Sequence, residues 1–252
     1  MKFGKLNDIS PVDFTLPPDH LQTARVLNEG IIHEQLPLVF GCPAWGCKDW
    51  VVKLYPSNAK PAEFLHPYSQ QFTTIELNTT HYRIPDEKTV LRWKSLSSDG
   101  FTFCPKIPQT ISHADNLAKT AGLVHQFVQS IRLLDEKLGI CFMQLPPEFS
   151  PDRASELISF LKNFPIRLAV EFRHPDWFTG NLEAESVFEL MEQRYFTTVI
   201  TDVAGRRDVA HMRLTSDCAV IRYVGNDLHP TDFSRLEHWK ERLHKWYEAG
   251  LK

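Results

Sequence analysis

Residues 168–178 read LAVEFRHPDWF, and the expected fold turns on this stretch. Leu168–Arg173 is a short, mostly apolar run, the length of a strand rather than a helix. It closes on two charges, Glu171 and Arg173. Side chains alternate along a strand, so these two share one face while Val170 and Phe172 share the other. A strand with a bulky apolar back and a charged C-terminal end suits a parallel α/β fold, whose active sites gather at strand C-termini.

Working outward, the same rhythm repeats. Further strands are expected at Leu38–Cys42, Thr74–Asn78, Phe101–Lys106, Gly139–Gln144, Thr197–Asp202 and Ala219–Val224. Helical patterns lie between most of them, at Pro85–Leu96, Thr120–Leu134, Ser150–Asn163 and Glu183–Arg194, with Thr231–Ala249 last. Ser150 and Pro151 are the favoured N-cap and N1 pair. This alternation predicts parallel strands joined by right-handed crossovers. Neither G-x-G-x-x-G nor G-x-x-x-x-G-K-[ST] occurs, which disfavours an open nucleotide-binding sheet. The expected fold is therefore α/β, a TIM-type (β/α)8 barrel with seven strands visible in this chain. The chain ends at Leu251–Lys252, just after a helix, where an eighth strand is expected next. Three readings stay open: the segment before Leu38 supplies it, the barrel is incomplete, or the chain is a shortened version of its parent. Residues 1–37, broken by Pro11, Pro17 and Pro18, read as an N-terminal extension, a lid or packed arm with one helix over Asp19–Glu29 stopped by Gly30. Residues 38–252 read as a single barrel domain.

Composition narrows the function. The 252 residues carry 28 Lys and Arg against 31 Asp and Glu, a net charge of −3, which excludes a histone-like nucleic-acid coat but not a local basic pocket. The apolar runs are too short for a membrane span, and MKFGKLNDIS lacks the apolar stretch of a signal peptide. Five cysteines are an odd count at low density, so a reducing cytoplasm is expected rather than a disulfide scaffold.

Nearly every expected strand ends in a polar side chain: Glu76 and Asn78, Lys106, Gln144, Glu171 and Arg173, Asp202, and Arg222 on the last. Unpaired buried charges cost several kcal/mol, so this set must pair, hydrate or meet a ligand. Its three carboxylates balance its three cations. A self-neutralising ion network explains the set less well than a polar site floor, because apolar packing stabilises as well or better. The expectation is that Glu76, Lys106, Glu171, Arg173, Asp202 and Arg222 converge in one pocket. The catalytic candidates are Glu76, Glu171, Asp202 and Lys106. The substrate-binding candidates are Asn78, Tyr82, His113, Gln144, Arg173, Arg222 and Trp45, the loop aromatics suiting a sugar or base. No metal ligand is assigned. The carboxylates suit a hard ion such as Mg²⁺ or Mn²⁺, but the three cations oppose it, and neither H-E-x-x-H nor a C-x-x-C pair is present. No cofactor is expected.

The motifs, taken in series, are similar to a known family. GCPAWGCKDWVVKLYP at Gly41–Pro56, TTIELNTTHYRIP at Thr73–Pro85, FTFCPKIPQTISH at Phe101–His113, FMQLPPEF at Phe142–Phe149, AVEFRHPDWF at Ala169–Phe178 and ITDVAGR at Ile200–Arg206 resemble blocks of the YecE-like family, a domain of unknown function (DUF72). The resemblance runs from Leu38 to Gly225 and implies a TIM-type barrel but no particular activity. There are departures. Cys42–Pro43 stand where the family often has Thr-Ser, His81 where it often has Phe, and Tyr223–Val224–Gly225 follow Arg222 where it often reads His-Gly.

Three functions follow in order of preference. The first is an enzyme on a phosphorylated or polyhydroxylated small substrate. Lys106, Arg173 and Arg222 would hold the anion, with Glu76 and Glu171 as the acid–base pair. Hydrolysis, isomerisation and elimination all fit. The second is a nucleic-acid-acting phosphodiesterase, weakened by the net charge. The third is a non-catalytic binder of a small anionic or sugar-like ligand. No membrane partner is expected.

Overall fold

The computed structural model describes residues 4–28 and 38–252. Its helices are α1 (Leu21–Asn28), α2 (Leu65–Gln71), α3 (Thr79–Tyr82), α4 (Glu87–Leu96), α5 (Gln109–Ser112), α6 (Ala121–Ile131), α7 (Ala154–Asn163), α8 (Leu182–Gln193) and α9 (Pro230–Glu248). Its strands are β1 (Thr74–Leu77), β2 (Thr102–Pro105), β3 (Cys141–Gln144), β4 (Leu168–Glu171), β5 (Thr197–Asp202) and β6 (Val220–Tyr223). Side-chain caps start some of these helices. Asp86 caps α4 by accepting the Thr89 N–H at 2.7 Å, and Asn181 caps α8 by accepting that of Ala184 at 2.7 Å. Ser150 makes no such cap. Its hydroxyl turns to Asp152 Oδ2 at 3.1 Å, and a 3-10 turn over Pro151–Arg153 precedes α7.

The strand count corrects the sequence expectation. Six strands form among the described residues, in one sheet of two and one of four, not a closed (β/α)8 barrel with seven strands visible. The missing member is Leu38–Cys42. Its carbonyls do serve β1: Phe40 O accepts from Thr73 and Thr74 N–H (3.1 and 3.3 Å), and Cys42 O from Glu76 N–H (3.3 Å). Its own N–H groups go elsewhere. Phe40 donates to Thr73 Oγ1 (2.9 Å) and Cys42 to the Tyr68 hydroxyl (2.6 Å). Side-chain oxygens satisfy donors that a ladder would have used, so the pairing is one-sided. The expected end of the first helix, Glu29–Gly30, lies outside the described residues, as does the rest of the segment up to Pro37.

The chain forms two compact units. One comprises residues 38–144 and 164–168. In it β1 and β2 pair in parallel, Ile75 with Phe103 and Glu76 with Cys104. Burial alternates along both strands: Ile75, Leu77, Phe103 and Pro105 are buried, whereas Thr74, Glu76, Thr102 and Cys104 are half-exposed. The apolar side packs into an aromatic core around Tyr68, Phe101 and Phe103.

The other unit comprises residues 4–28, 145–163 and 169–252. Here β5 pairs with β4 (Ala169 with Thr197) and with β6 (Thr201 with Arg222), both in parallel. Every residue of β4 and β5 is buried, as expected for parallel strands covered on both faces. Leu27 of α1, Ile200, Met212, Leu214, Trp239, Trp246 and Leu251 make one continuous core. The N-terminal arm is therefore built into this unit. Thr23 Oγ1 donates to Met212 O (2.7 Å) and accepts from Leu214 N–H (3.0 Å), both buried.

Candidate functional site

The β4–β5–β6 register sets three side chains on one face of the second-described unit. Thr201 and Arg222 are direct neighbours, and Glu171, two residues beyond Ala169, lies on the same side. The Glu171 carboxylate is 1% exposed. Arg222 Nη1 donates to its Oε2 at 2.9 Å and its Oε1 at 3.2 Å, and the Thr201 hydroxyl donates to Oε1 at 2.9 Å. Arg173 Nε stands 3.9 Å from Oε1. A third guanidinium adjoins them: Arg206 Nη2 donates to the Arg173 carbonyl at 2.7 Å, while Asp208 holds Arg206 through Nε (2.9 Å) and Nη2 (2.8 Å). Burial pushes the Arg173 pKa down, and the neighbouring charges of Arg222 and Arg206 push it further. Glu171 and Glu148 oppose that shift.

Asp202 is not in this cluster. It follows Thr201 on β5 and faces the other side, towards α9, with no exposed surface. Its carboxylate accepts from Trp239 Nε1 (2.7 Å), pairs with Arg235 Nη2 (2.9 Å) and meets Arg207. Arg235 is itself fully buried, stacked over Tyr223 at 4.3 Å. This carboxylate belongs to the joint between β5 and α9.

In the unit formed by residues 38–144 and 164–168, Glu76 on β1 and Lys106, one residue past the end of β2 and buried, fall on the same side by alternation. Lys106 bridges Phe142 in parallel, which brings Gln144 to the same side, and Lys106 Nζ donates to Gln144 Oε1 at 3.1 Å. Asn78 Nδ2 donates to Pro43 O at 3.3 Å. His81 Nδ1 bonds the Ile107 carbonyl at 2.9 Å, and its ring lies edge-on to His113 at 5.5 Å and to Tyr82 at 5.4 Å. His113 Nδ1 meets the Ser112 hydroxyl at 2.9 Å. Burial and the Lys106 charge push the His81 pKa down, opposed by the Ile107 carbonyl and Glu76. Tyr82 is 80% exposed, whereas Trp45 is half-buried and packs edge-on against Trp93 at 6.1 Å. Among the described residues no group of three His, Cys, Asp or Glu side chains is arranged to hold a metal ion. No described helix is long and apolar enough to cross a membrane.

The model of the family described as "Protein of unknown function DUF72" matches residues 39–252. The chain belongs to the DUF72 family. It is 30% identical to UPF0759 protein YecE of Escherichia coli K12 over 232 residues, 84% of this chain and 83% of that protein. Among solved structures it is similar to the DUF72 protein TM1631 of Thermotoga maritima, with a TM-score of 0.63 and 21% identity over 82% of this chain and 88% of that one. It is also similar to EF0366 of Enterococcus faecalis, with a TM-score of 0.58 and 19% identity over 74% and 82% of the two chains. A second structure of EF0366 matches with a TM-score of 0.51, over 65% of this chain and 64% of that one. These likenesses speak to the fold.

In this DUF72 protein the arm at residues 4–28 precedes the matched region. Two polar residues lie outside the strand-end reading. Arg206 sits beyond β5, and its signal is the ITDVAGR block, which it closes. His81 sits in α3, and its signal in the sequence is its place beside Tyr82 just after the strand-end residues Glu76 and Asn78.

Proposed function

We propose that the protein binds and acts on a small phosphorylated or polyhydroxylated molecule, with Arg173 and Arg222 holding its anionic group. The observation that carries this reading is the pair Arg173 and Arg222 beside one carboxylate that is 1% exposed, with Arg206 bonded to the Arg173 carbonyl. Guanidinium forks match phosphate and carboxylate oxygens in pairs. Arg173 is buried and repelled by two like charges, so an incoming anion would relieve a cost already present in the fold. Glu171, fixed by Arg222 and Thr201, orients the Arg222 guanidinium and is the carboxylate assigned to proton transfer at that place. No cofactor enters this reading. The five cysteines are all free thiols, which suits a cytoplasmic location.

The test is a thermal-shift series on the purified chain with inorganic phosphate, sugar phosphates, nucleotides and short DNA, run beside Arg173→Ala. A ligand at 100 times its Kd stabilises by about 2.7 kcal/mol. A shift with a small phosphorylated compound, lost in the variant, supports the proposal. A shift with DNA alone transfers it to a phosphodiester substrate, and no shift in the presence of any phosphate or sugar compound sinks it. Glu171→Gln then separates enzyme from binder: binding kept and turnover lost marks an enzyme.

A further inference from the structure

A different feature carries a site that does not rest on the arginine cluster. His81 is half-buried in α3, and its ring is fixed by one hydrogen bond. A carbonyl oxygen only accepts, so the 2.9 Å contact with Ile107 O places the imidazole proton on Nδ1. In the neutral ring Nε2 is then a bare acceptor. Nε2 has no hydrogen-bond partner among the described residues. A bifurcated hydrogen bond supports this geometry: the single Thr80 Oγ1 proton is shared between Leu77 O (2.8 Å) and Lys106 O (2.7 Å), which ties the start of α3 to the ends of β1 and β2. His113 and Tyr82 bracket the ring edge-on. The charged groups around it are Lys106 and Glu76.

An acceptor of fixed direction, on a ring that the Lys106 charge acts on and in a helix tied to the Lys106 carbonyl, suits taking a proton from a ligand whose negative end the ammonium holds. We infer that His81 Nε2 is the proton acceptor of a second site, one that takes a small hydroxylated anion with its charged end at Lys106. In the step, the ligand O–H bond breaks and an Nε2–H bond forms. The ligand oxygen keeps the electron pair, and the imidazolium retains its Nδ1–H bond to Ile107 O. Glu76, on the same face as Lys106, offsets the new positive charge.

Carbethoxylation by diethyl pyrocarbonate, mapped by mass spectrometry at pH 7, reads the lone pair directly. The expected result is modification of His81 that glycerol 3-phosphate slows at least five-fold. Sulfate, which has no proton to give at this pH, should relieve that protection by competing at Lys106. Lys106→Gln should lose the protection, read as the ratio of rates with and without glycerol 3-phosphate in that same variant, and Lys106→Arg should restore it. His81→Gln supplies the background from the other histidines. A His81 that does not react shows that the acceptor is already engaged and overturns the inference. So does reaction without protection by glycerol 3-phosphate, or protection that survives both sulfate and Lys106→Gln. The sulfate arm uses the unaltered chain, so the result stands even where the lysine variant does not fold.

Discussion

Thr201 and Asp202 are consecutive on β5 and serve opposite faces of it: the Thr201 hydroxyl donates to Glu171 at 2.9 Å, and the Asp202 carboxylate accepts from Trp239 at 2.7 Å. One strand end thus contributes to a polar cluster and to a structural joint at once. Asp202 is the anion that two arginines and an indole share, and Arg235 beside it is fully buried. Asp202→Ala would leave the Arg235 charge buried without that partner. Removing one member of a buried ion pair costs about 3–5 kcal/mol. The midpoint of urea unfolding should fall accordingly, with the slope m unchanged. A loss under about 1 kcal/mol would show that the joint does not depend on this charge.

Face parity was readable in the sequence wherever both partners lie on regular strands or at their ends. Glu76 and Lys106 share a face, and so do Glu171 and Arg222, because alternation and parallel register are local consequences of an extended backbone. Asp202 was not readable as a joint residue, since its partners Arg235 and Trp239 lie on a helix, whose docking against β5 strand alternation does not specify. Alternating strands and helices announce parallel pairing but not how many strands close. Leu38–Cys42 shows why: its apolar pattern is that of a strand, yet Tyr68 and Thr73 oxygens take the N–H groups that a ladder requires. Side-chain competition for backbone donors leaves no mark in hydrophobic periodicity.

That one-sided pairing depends on close approach at Gly41. A Cβ there would lie 1.9 Å from Thr74 O and 3.0 Å from the Tyr68 hydroxyl. Since Thr74 O is backbone in β1, it cannot swing aside. Gly41→Ala should therefore cost at least the 1–3 kcal/mol that is roughly typical of overpacking. Unfolding monitored by tryptophan fluorescence is a suitable readout, because Trp50 stacks on Tyr68 at 6.1 Å. Wild-type stability in this variant would mean that the 38–42 segment is free to move away from β1.

The N-terminal arm should be held by its charged clasps as well as by Leu27. The Phe14 ring lies 4.7 Å from the Arg235 guanidinium and 5.5 Å from that of Arg207, and Arg242 pairs with Asp19 at 2.6 Å and with Pro17 O at 2.9 Å. Phe14→Ala removes both ring contacts, each worth roughly 0.5–2 kcal/mol depending on desolvation. Arg242→Ala removes the second clasp. Hydrogen exchange should accelerate in residues 4–20 in each variant and more than additively in the pair, because both clasps restrain one segment. Unchanged exchange in the double variant would place the arm's attachment wholly in the α1 core.

Acid should weaken the fold through His211 before the carboxylates titrate. This ring stacks on Phe178 at 4.2 Å, donates from Nε2 to Val199 O at 3.1 Å and accepts the Arg213 N–H on Nδ1 at 3.4 Å. Both nitrogens are satisfied in the neutral form, and a second proton would take the acceptor away. Burial holds its pKa down to about 4, with Arg213 and His20 pushing the same way against the Val199 carbonyl. In the unfolded chain a histidine titrates near 6.5. Between these values the unfolded state carries the extra proton, so stability is full above pH 6.5 and falls as the pH drops towards 4. The total from this one group is about 3 kcal/mol, at roughly 1.4 kcal/mol per unit. His20 and His81, both shifted down by burial, add in the same direction. Urea unfolding at pH 7, 6, 5 and 4.5 should show a slope near one proton or more. His211→Gln keeps an amide donor and acceptor in place and should flatten that slope by about one proton. A variant whose stability follows the wild-type pH curve would assign the acid sensitivity to other groups.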